Sequence, residues 1–316
     1  MLLVGLFYHL VSPERLWAAA RTVDAGWLLS GLLVAGSITS FRSLRWNLLC
    51  RQMETVIPWS HTLRAMYVAA AFALVTPARI GMEFYRFLYV RPLAPSLFVA
   101  IRCVIIDRFF DLIPMVMISL VGLGFFPLGL DPWLLAGPVA LLLLATIPFL
   151  LLLTQGSSRW AAKGIDHLQR RWHLGHASQN EDEPQFDPVV HTLGWQALSG
   201  LLLISLALSA IQALSLGLFA RAVGLELDGG FVWWCSSLTV ICNFLPVSQM
   251  GVGTRDATLI FLFNLVHGAP EQAILVSTMV LAGWVLSGAL GVVFLWLGFR
   301  LPEALPKAGG SPPPVT

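Results

Sequence analysis

Asp107, Arg108 and Asp111 stand together inside the apolar run 97–124, with Arg102 nearer its start. On a helix these charges lie about 14 to 20 Å along the run, near the middle of a hydrocarbon core about 30 Å thick. Charges at that depth are not left facing lipid. Arg108 and Asp111 are spaced i, i+3, while Asp107 and Asp111 are spaced i, i+4. One carboxylate therefore remains to meet an arginine from another segment or to bind a proton. A proton or ion relay and a buried ion-pair network both fit this spacing.

Two further charge clusters sit at breaks in short apolar stretches. Ala65 to Thr76 is 12 residues long, about 18 Å as a helix, and Pro77 interrupts it before it can cross. A second short segment, Ile80 to Val90, carries Glu83 and Arg86. The layout recurs late in the chain, where Phe231 to Leu245 ends at Pro246 and is followed by Ala257 to His267. Pro77 precedes Arg86 by nine positions and Pro246 precedes Arg255 by nine, with Gly81 and Gly251 between them. Backbone groups freed at such breaks must be satisfied within protein or a wet cavity. The helix starting there offers N–H groups and a dipole that favour an anion. Thr76 and Pro77 read as an N-cap and first helical position, and Ser248 or Thr254 as the cap of the second helix. Arg79, Arg86 and Arg255 add full charges that can grip a phosphate. Glu83 and Asp256 can instead neutralise those arginines as structural locks. Binding is the reading favoured for ionisable residues inside a membrane.

The elements that position these residues follow from composition. The chain has 316 residues, 57% hydrophobic and 11% charged, with mean hydropathy +0.78. That excludes an ordinary soluble domain, in which roughly 25% of residues are charged. A net charge of +2, with no basic block, also excludes a nucleic-acid binder. Spans are expected at Trp27 to about Cys50, Leu97 to Gly124, Leu130 to Thr154, Trp195 to Ala220 and Glu271 to Gly298. The first ends at Arg42, Arg45 and Arg51, read as snorkelling side chains. Met1 to Val11 is too short for a full span and is read as a shortened helix, an interfacial segment or the remainder of a longer helix.

With both short pairs re-entrant, one side of the membrane collects 13 Lys/Arg and the other four, so the richer side reads as cytoplasmic. The first hairpin then opens to the cytoplasm and the second to the outside, as in many secondary transporters. The expected fold is an all-α polytopic bundle, one membrane domain over 1–316. It comprises a first repeat, 27–124, with hairpin 65–90, a linking span, 130–154, and a cytoplasmic loop, 155–191. An inverted second repeat, 195–298, with hairpin 231–267, precedes a disordered tail, 302–316. Gly283, Ser287 and Gly291 form a small-residue stripe for close helix packing. Tryptophans at segment ends, such as Trp27 and Trp296, read as interface anchors.

Cys50, Cys103, Cys235 and Cys242 show no CxxC spacing, and His167, His173 and His176 in the polar loop lack ligand partners. No metal or other cofactor is expected. HExxH, GxSxG, P-loop and DGxxAR elements are all missing, so the chain is not expected to be an enzyme.

The run Pro77, Arg79, Gly81, Glu83, Arg86, then Asp107-Arg108 with Asp111, then Pro246, Gly251, Gly253, Arg255, Asp256 resembles the lysylphosphatidylglycerol synthase transmembrane family, also called flippase-like domain proteins. That pattern usually has Gly-Glu adjacent with the arginine three later. Here Met82 follows Gly81, displacing Glu83 and Arg86 by one, and Asp256 stands where Glu is usual. The resemblance implies a stand-alone member that moves a lipid or its headgroup between leaflets; the expected location is a bacterial plasma membrane, and the charge count sets the C-terminus on the cytoplasmic side.

The candidate substrate-binding set is Thr76, Arg79, Gly81, Glu83, Arg86, Asp107, Arg108, Asp111, Ser248, Gly251, Gly253, Arg255 and Asp256. The expected partner is a membrane lipid with an anionic headgroup or a polyprenyl phosphate. The alternative is a non-catalytic membrane partner scaffolding a lipid or glycan biosynthetic enzyme. A homodimer or a complex with such an enzyme is compatible with either.

Overall fold

A computed structural model describes residues 13–76, 80–95, 97–125, 194–244 and 251–302. Expectations for Met1 to Val11, Pro77, Arg79, the span 130–154, the loop 155–191, Pro246, Ser248 and the tail lie outside these residues. Every described element is a helix: α1 (Pro13–Arg21), α2 (Ala25–Gln52), α3 (Trp59–Val75), α4 (Ile80–Val90), α5 (Leu97–Phe125), α6 (Trp195–Ala222), α7 (Gly229–Phe244), α8 (Thr254–Asn264) and α9 (Pro270–Trp296). Of these, α2, α6 and α9 are long and apolar enough to cross a membrane. With 29 residues, α5 is as long, but carries Arg102, Asp107, Arg108 and Asp111 in its first half.

Local chemistry fixes the helix ends. Asp24 caps α2, accepting from the backbone N–H of Gly26 at 2.7 Å and Trp27 at 3.1 Å. Asp228 does the same before α7, accepting from Gly230 at 2.8 Å and Phe231 at 3.2 Å. Both α2 and α6 end by closing their last carbonyls through a left-handed residue. Thr55 N–H bonds the Cys50 carbonyl at 2.9 Å across Glu54 (φ 57°). Leu225 N–H bonds the Ala220 carbonyl at 2.9 Å across Gly224 (φ 75°).

These parallels extend along the chain. Helices α2 to α5 run 28, 17, 11 and 29 residues, and α6 to α9 run 28, 16, 11 and 27. The packing matches as well. Helix α3 lies on α9 as α7 lies on α5, α2 packs on α6, and α4 on α5 as α8 on α9. Two hydrophobic cores result. One joins the second half of α2 with α3, α4 and the start of α5, and the other joins the second half of α6 with α7, α8 and the start of α9.

The start of α2 meets the end of α6, where Asp24 N–H donates to the Ala222 carbonyl at 2.9 Å. The start of α9 is there too, with Gln272 Nε2 donating to the Val223 carbonyl at 2.9 Å. At the opposite end Phe299, just past α9, contacts His61 near the start of α3 and Tyr89 near the end of α4, with ring centroids 6.0 and 5.9 Å away. Both ends of the α3–α4 pair therefore face one end of the bundle.

Several boundaries differ from those expected. Helix α3 begins at Trp59, six residues before Ala65, and α8 begins at Thr254 rather than Ala257. Gly253, with φ 95°, is the N-cap of α8, and Thr254 is its first helical residue. Thr76 ends α3 in an extended conformation. Its Oγ1 accepts from Gly81 N–H at 2.9 Å while donating to the Phe72 carbonyl at 2.8 Å, thereby bridging the break. The small-residue stripe lies inside the bundle. A Cβ on Gly291 would collide with the Tyr67 backbone of α3, and one on Gly283 would press on Ala35 of α2.

Candidate functional site

The charged residues of α5 are drawn into one network by arginines from two other helices. Arg45 of α2, wholly buried, binds Asp107 Oδ1 through Nε at 2.9 Å and Asp111 Oδ1 through Nη2 at 2.8 Å. It also donates to Ser205 Oγ at 3.1 Å and to the Asp107 carbonyl at 3.2 Å. Arg86 of α4 takes the other oxygen of Asp107 at 2.6 Å and reaches Glu83 at 3.2 Å. Its guanidinium carbon lies 4.7 Å from the centroid of the Trp46 ring, a cation–π contact worth about 2 kcal/mol when desolvated. Arg108 binds Glu83 at 2.6 Å, whereas i, i+3 spacing had paired it with Asp111. The reason is reach: Arg45 already holds Asp111, and Glu83 lies across the α4–α5 contact. Desolvating these ions costs several kcal/mol each, so a carboxylate answered on both oxygens is the arrangement that burial requires.

Arg42 differs from its neighbours. Among the described residues its only ion-pair contact is from Nε to Asp111 Oδ2 at 3.8 Å, too long for a hydrogen bond, and Nε has no hydrogen-bond partner. Four arginines meet three carboxylates in this network, leaving one positive charge uncompensated among the described residues.

Arg42 and Arg45 were expected to snorkel at a span end, and this is corrected. Helix α2 continues ten residues past Arg42 to Gln52, which places both arginines within the bundle. They are the residues the sequence reading missed. The available signal was their i, i+3 spacing beside Trp46 on an unusually long helix, which sets both on one face.

Arg42, Arg108 and Asp111 line a cavity of about 170 Å³ between the two hydrophobic cores. Every helix except α1 and α8 contributes to it. The lining residues on three of the long helices lie at mid-helix: Thr39 on α2, Asp111 on α5 and Trp284 on α9. Asp111 is the central residue of α5. One wall is charged; the wall made by α6, α7 and α9 offers Gln212, Ser215, Ser236, Thr239 and Ser287.

The other predicted residues fall around this centre. Arg86 and Asp107 are buried in the network and do not line the cavity. On α8, Arg255 is also buried; its Nε donates to Ser277 Oγ at 2.6 Å, its Nη2 lies 3.7 Å from Asp256, and its Nη1 has no partner. Ser277 in turn makes a very short hydrogen bond to Asp256. Arg255 lies over the ring of Trp284, which is itself a cavity residue. Asp256 also accepts from Gly253 N–H at 2.8 Å. Thr254 donates to the Gly251 carbonyl at 3.3 Å. Arg79 and Ser248 lie outside the described residues.

Residues 1–291 match the family described as lysylphosphatidylglycerol synthase TM region. The chain belongs to that family. As a lysylphosphatidylglycerol synthase TM region with three membrane-capable helices, it is an integral membrane protein. Its charged network and cavity are formed wholly within the matched residues. No curated protein matches the chain closely enough to be compared with it.

Proposed function

We propose that this protein moves an anionic, phosphate-bearing lipid, or the headgroup of a lipid-linked intermediate, between the leaflets of a bacterial plasma membrane. The observation that carries this reading is Arg42, an arginine on the wall of the cavity with no hydrogen-bond partner among the described residues. An arginine fork at such a site suits a phosphate, which it can hold through two parallel hydrogen bonds. Arg108 provides a second grip. Asp111 and Glu83 compete with the phosphate for these two arginines, so the headgroup can be released again. Arg45 and Arg86, both paired with Asp107, form the fixed floor beneath.

The path itself rests on a reading of α2 to α5 and α6 to α9 as two repeats of opposite orientation, each with a re-entrant hairpin. Matching helix lengths, matching caps and the antiparallel meeting of α2 with α6 support it. In secondary transporters this architecture places the substrate at the repeat interface, and here that interface is the cavity. Removing Arg42 and the buried Arg45, Arg86 and Arg255 from the charge count leaves ten Lys/Arg against three. The bias supports a cytoplasmic C-terminus.

Reconstitution into liposomes with fluorescent phosphatidylglycerol tests the reading. Dithionite should quench the inner-leaflet probe in wild-type proteoliposomes as it reaches the outer leaflet, and Arg42→Gln should slow this about tenfold, one lost charge-assisted bond. Wild-type exchange no faster than in protein-free liposomes would refute translocation.

A further inference from the structure

A second basic site lies away from the cavity, between the start of α3 and the end of α9. His61 and Arg64 from α3, with Phe299 and Arg300 beyond α9, border a groove of about 520 Å³ whose floor includes Tyr89 and Phe294. None of its lining residues is acidic. Arg64 and Arg300 are both exposed, and neither has an ion-pair or hydrogen-bond partner among the described residues. The turn that brings Arg300 here is built. Gly298, at φ 84°, lets the chain fold back, and Gly298 and Phe299 N–H groups close the Leu295 and Phe294 carbonyls at 3.0 Å each. The negative end of α9 is thereby partly answered within the turn.

The depth of the groove identifies its occupant. Trp59 opens α3 and Trp296 closes α9, 47% and 85% exposed, and tryptophans at helix ends mark the headgroup level of a membrane. Leu297 and Leu301 beside them are also exposed, giving the rim an apolar face towards acyl chains. We propose that this groove binds the phosphate of an anionic membrane lipid, gripped by Arg64 and Arg300 over the aromatic floor. The site is at the surface of one leaflet and does not depend on translocation through the cavity.

Native mass spectrometry of the full chain in detergent, with phosphatidylglycerol and phosphatidylcholine added in equal amounts, tests the site. Arg42→Gln serves as the background, so that the cavity's contribution to selectivity is lowered and is the same in every variant compared. Phosphatidylglycerol should remain preferred in that background. Adding Arg64→Gln and Arg300→Gln should weaken its binding about tenfold or more and leave phosphatidylcholine unchanged. Both substituted residues are exposed, so folding is preserved. An unchanged lipid ratio in the triple variant would overturn the proposal. Displacement by soluble glycerol 1-phosphate at lipid-like affinity would overturn the assignment to a lipid. Loss of transport in Arg42→Gln with groove selectivity intact separates this site from the cavity.

Discussion

Arg86 on α4 and Arg255 on α8 are the buried arginines of the two 11-residue helices, and their surroundings differ. Arg86 has a carboxylate on each side, Asp107 at 2.6 Å and Glu83 at 3.2 Å. Arg255 has Ser277 at 2.6 Å and a single carboxylate at 3.7 Å, and each of the two arginines keeps one nitrogen without a hydrogen-bond partner among the described residues. Asp107 on α5 and Ser277 on α9 play equivalent parts, and the exchange of a carboxylate for a hydroxyl sets the contrast. Similar lengths, caps and packing thus support an arginine set between two carboxylates in one half and an arginine held mainly by a hydroxyl in the other. Fold and charge are separable: the frame is repeated, while the electrostatics are placed where the cavity wall needs them.

The sharpest way to break this comparison is Asp107→Asn. It removes the charge that Arg45 and Arg86 share and strands two buried cations. Breaking a buried pair costs roughly 3–5 kcal/mol, so thermal unfolding in detergent should shift strongly downwards. A loss no greater than that of substitutions around Arg255 would mean that the first half is no more dependent on its charges than the second.

Ser277→Ala is the matching change on α9. It deletes the acceptor for Arg255 Nε and the donor to Asp256, at a cost of about 1–3 kcal/mol for buried groups left unsatisfied. The same unfolding measurement should place it clearly below Asp107→Asn. A cost equal to that of Asp107→Asn would show that Arg255 depends on its hydroxyl as Arg86 depends on its carboxylate.

Much of this is legible in the sequence, because hydrocarbon dictates helix. Ile80 to Val90 is helical throughout, and Asp107 meets Arg86 of that helix. What was missed involves distance across the fold. Arg45 touches residues 62 and 160 positions away, and no local spacing encodes either contact. The helix starts at Trp59 and Thr254 were placed too late because polar residues there lower the apolar signal without preventing helix formation. Arg108 was paired with Asp111 by spacing alone, and the tertiary contact with Glu83 prevailed.

The caps give the smallest effect and the cleanest control on the shared frame. Asp24 and Asp228 each accept two backbone N–H groups at a helix start, one in each half, and neither belongs to the charge network. Asp24→Ala and Asp228→Ala should each cost about 1 kcal/mol, equally within error, by the same unfolding midpoint. Equality here, beside inequality between Asp107 and Ser277, would locate the difference between the halves in their buried charges. Unequal caps would locate it in the frame itself, because the two starts would then differ in how much of the bundle depends on them.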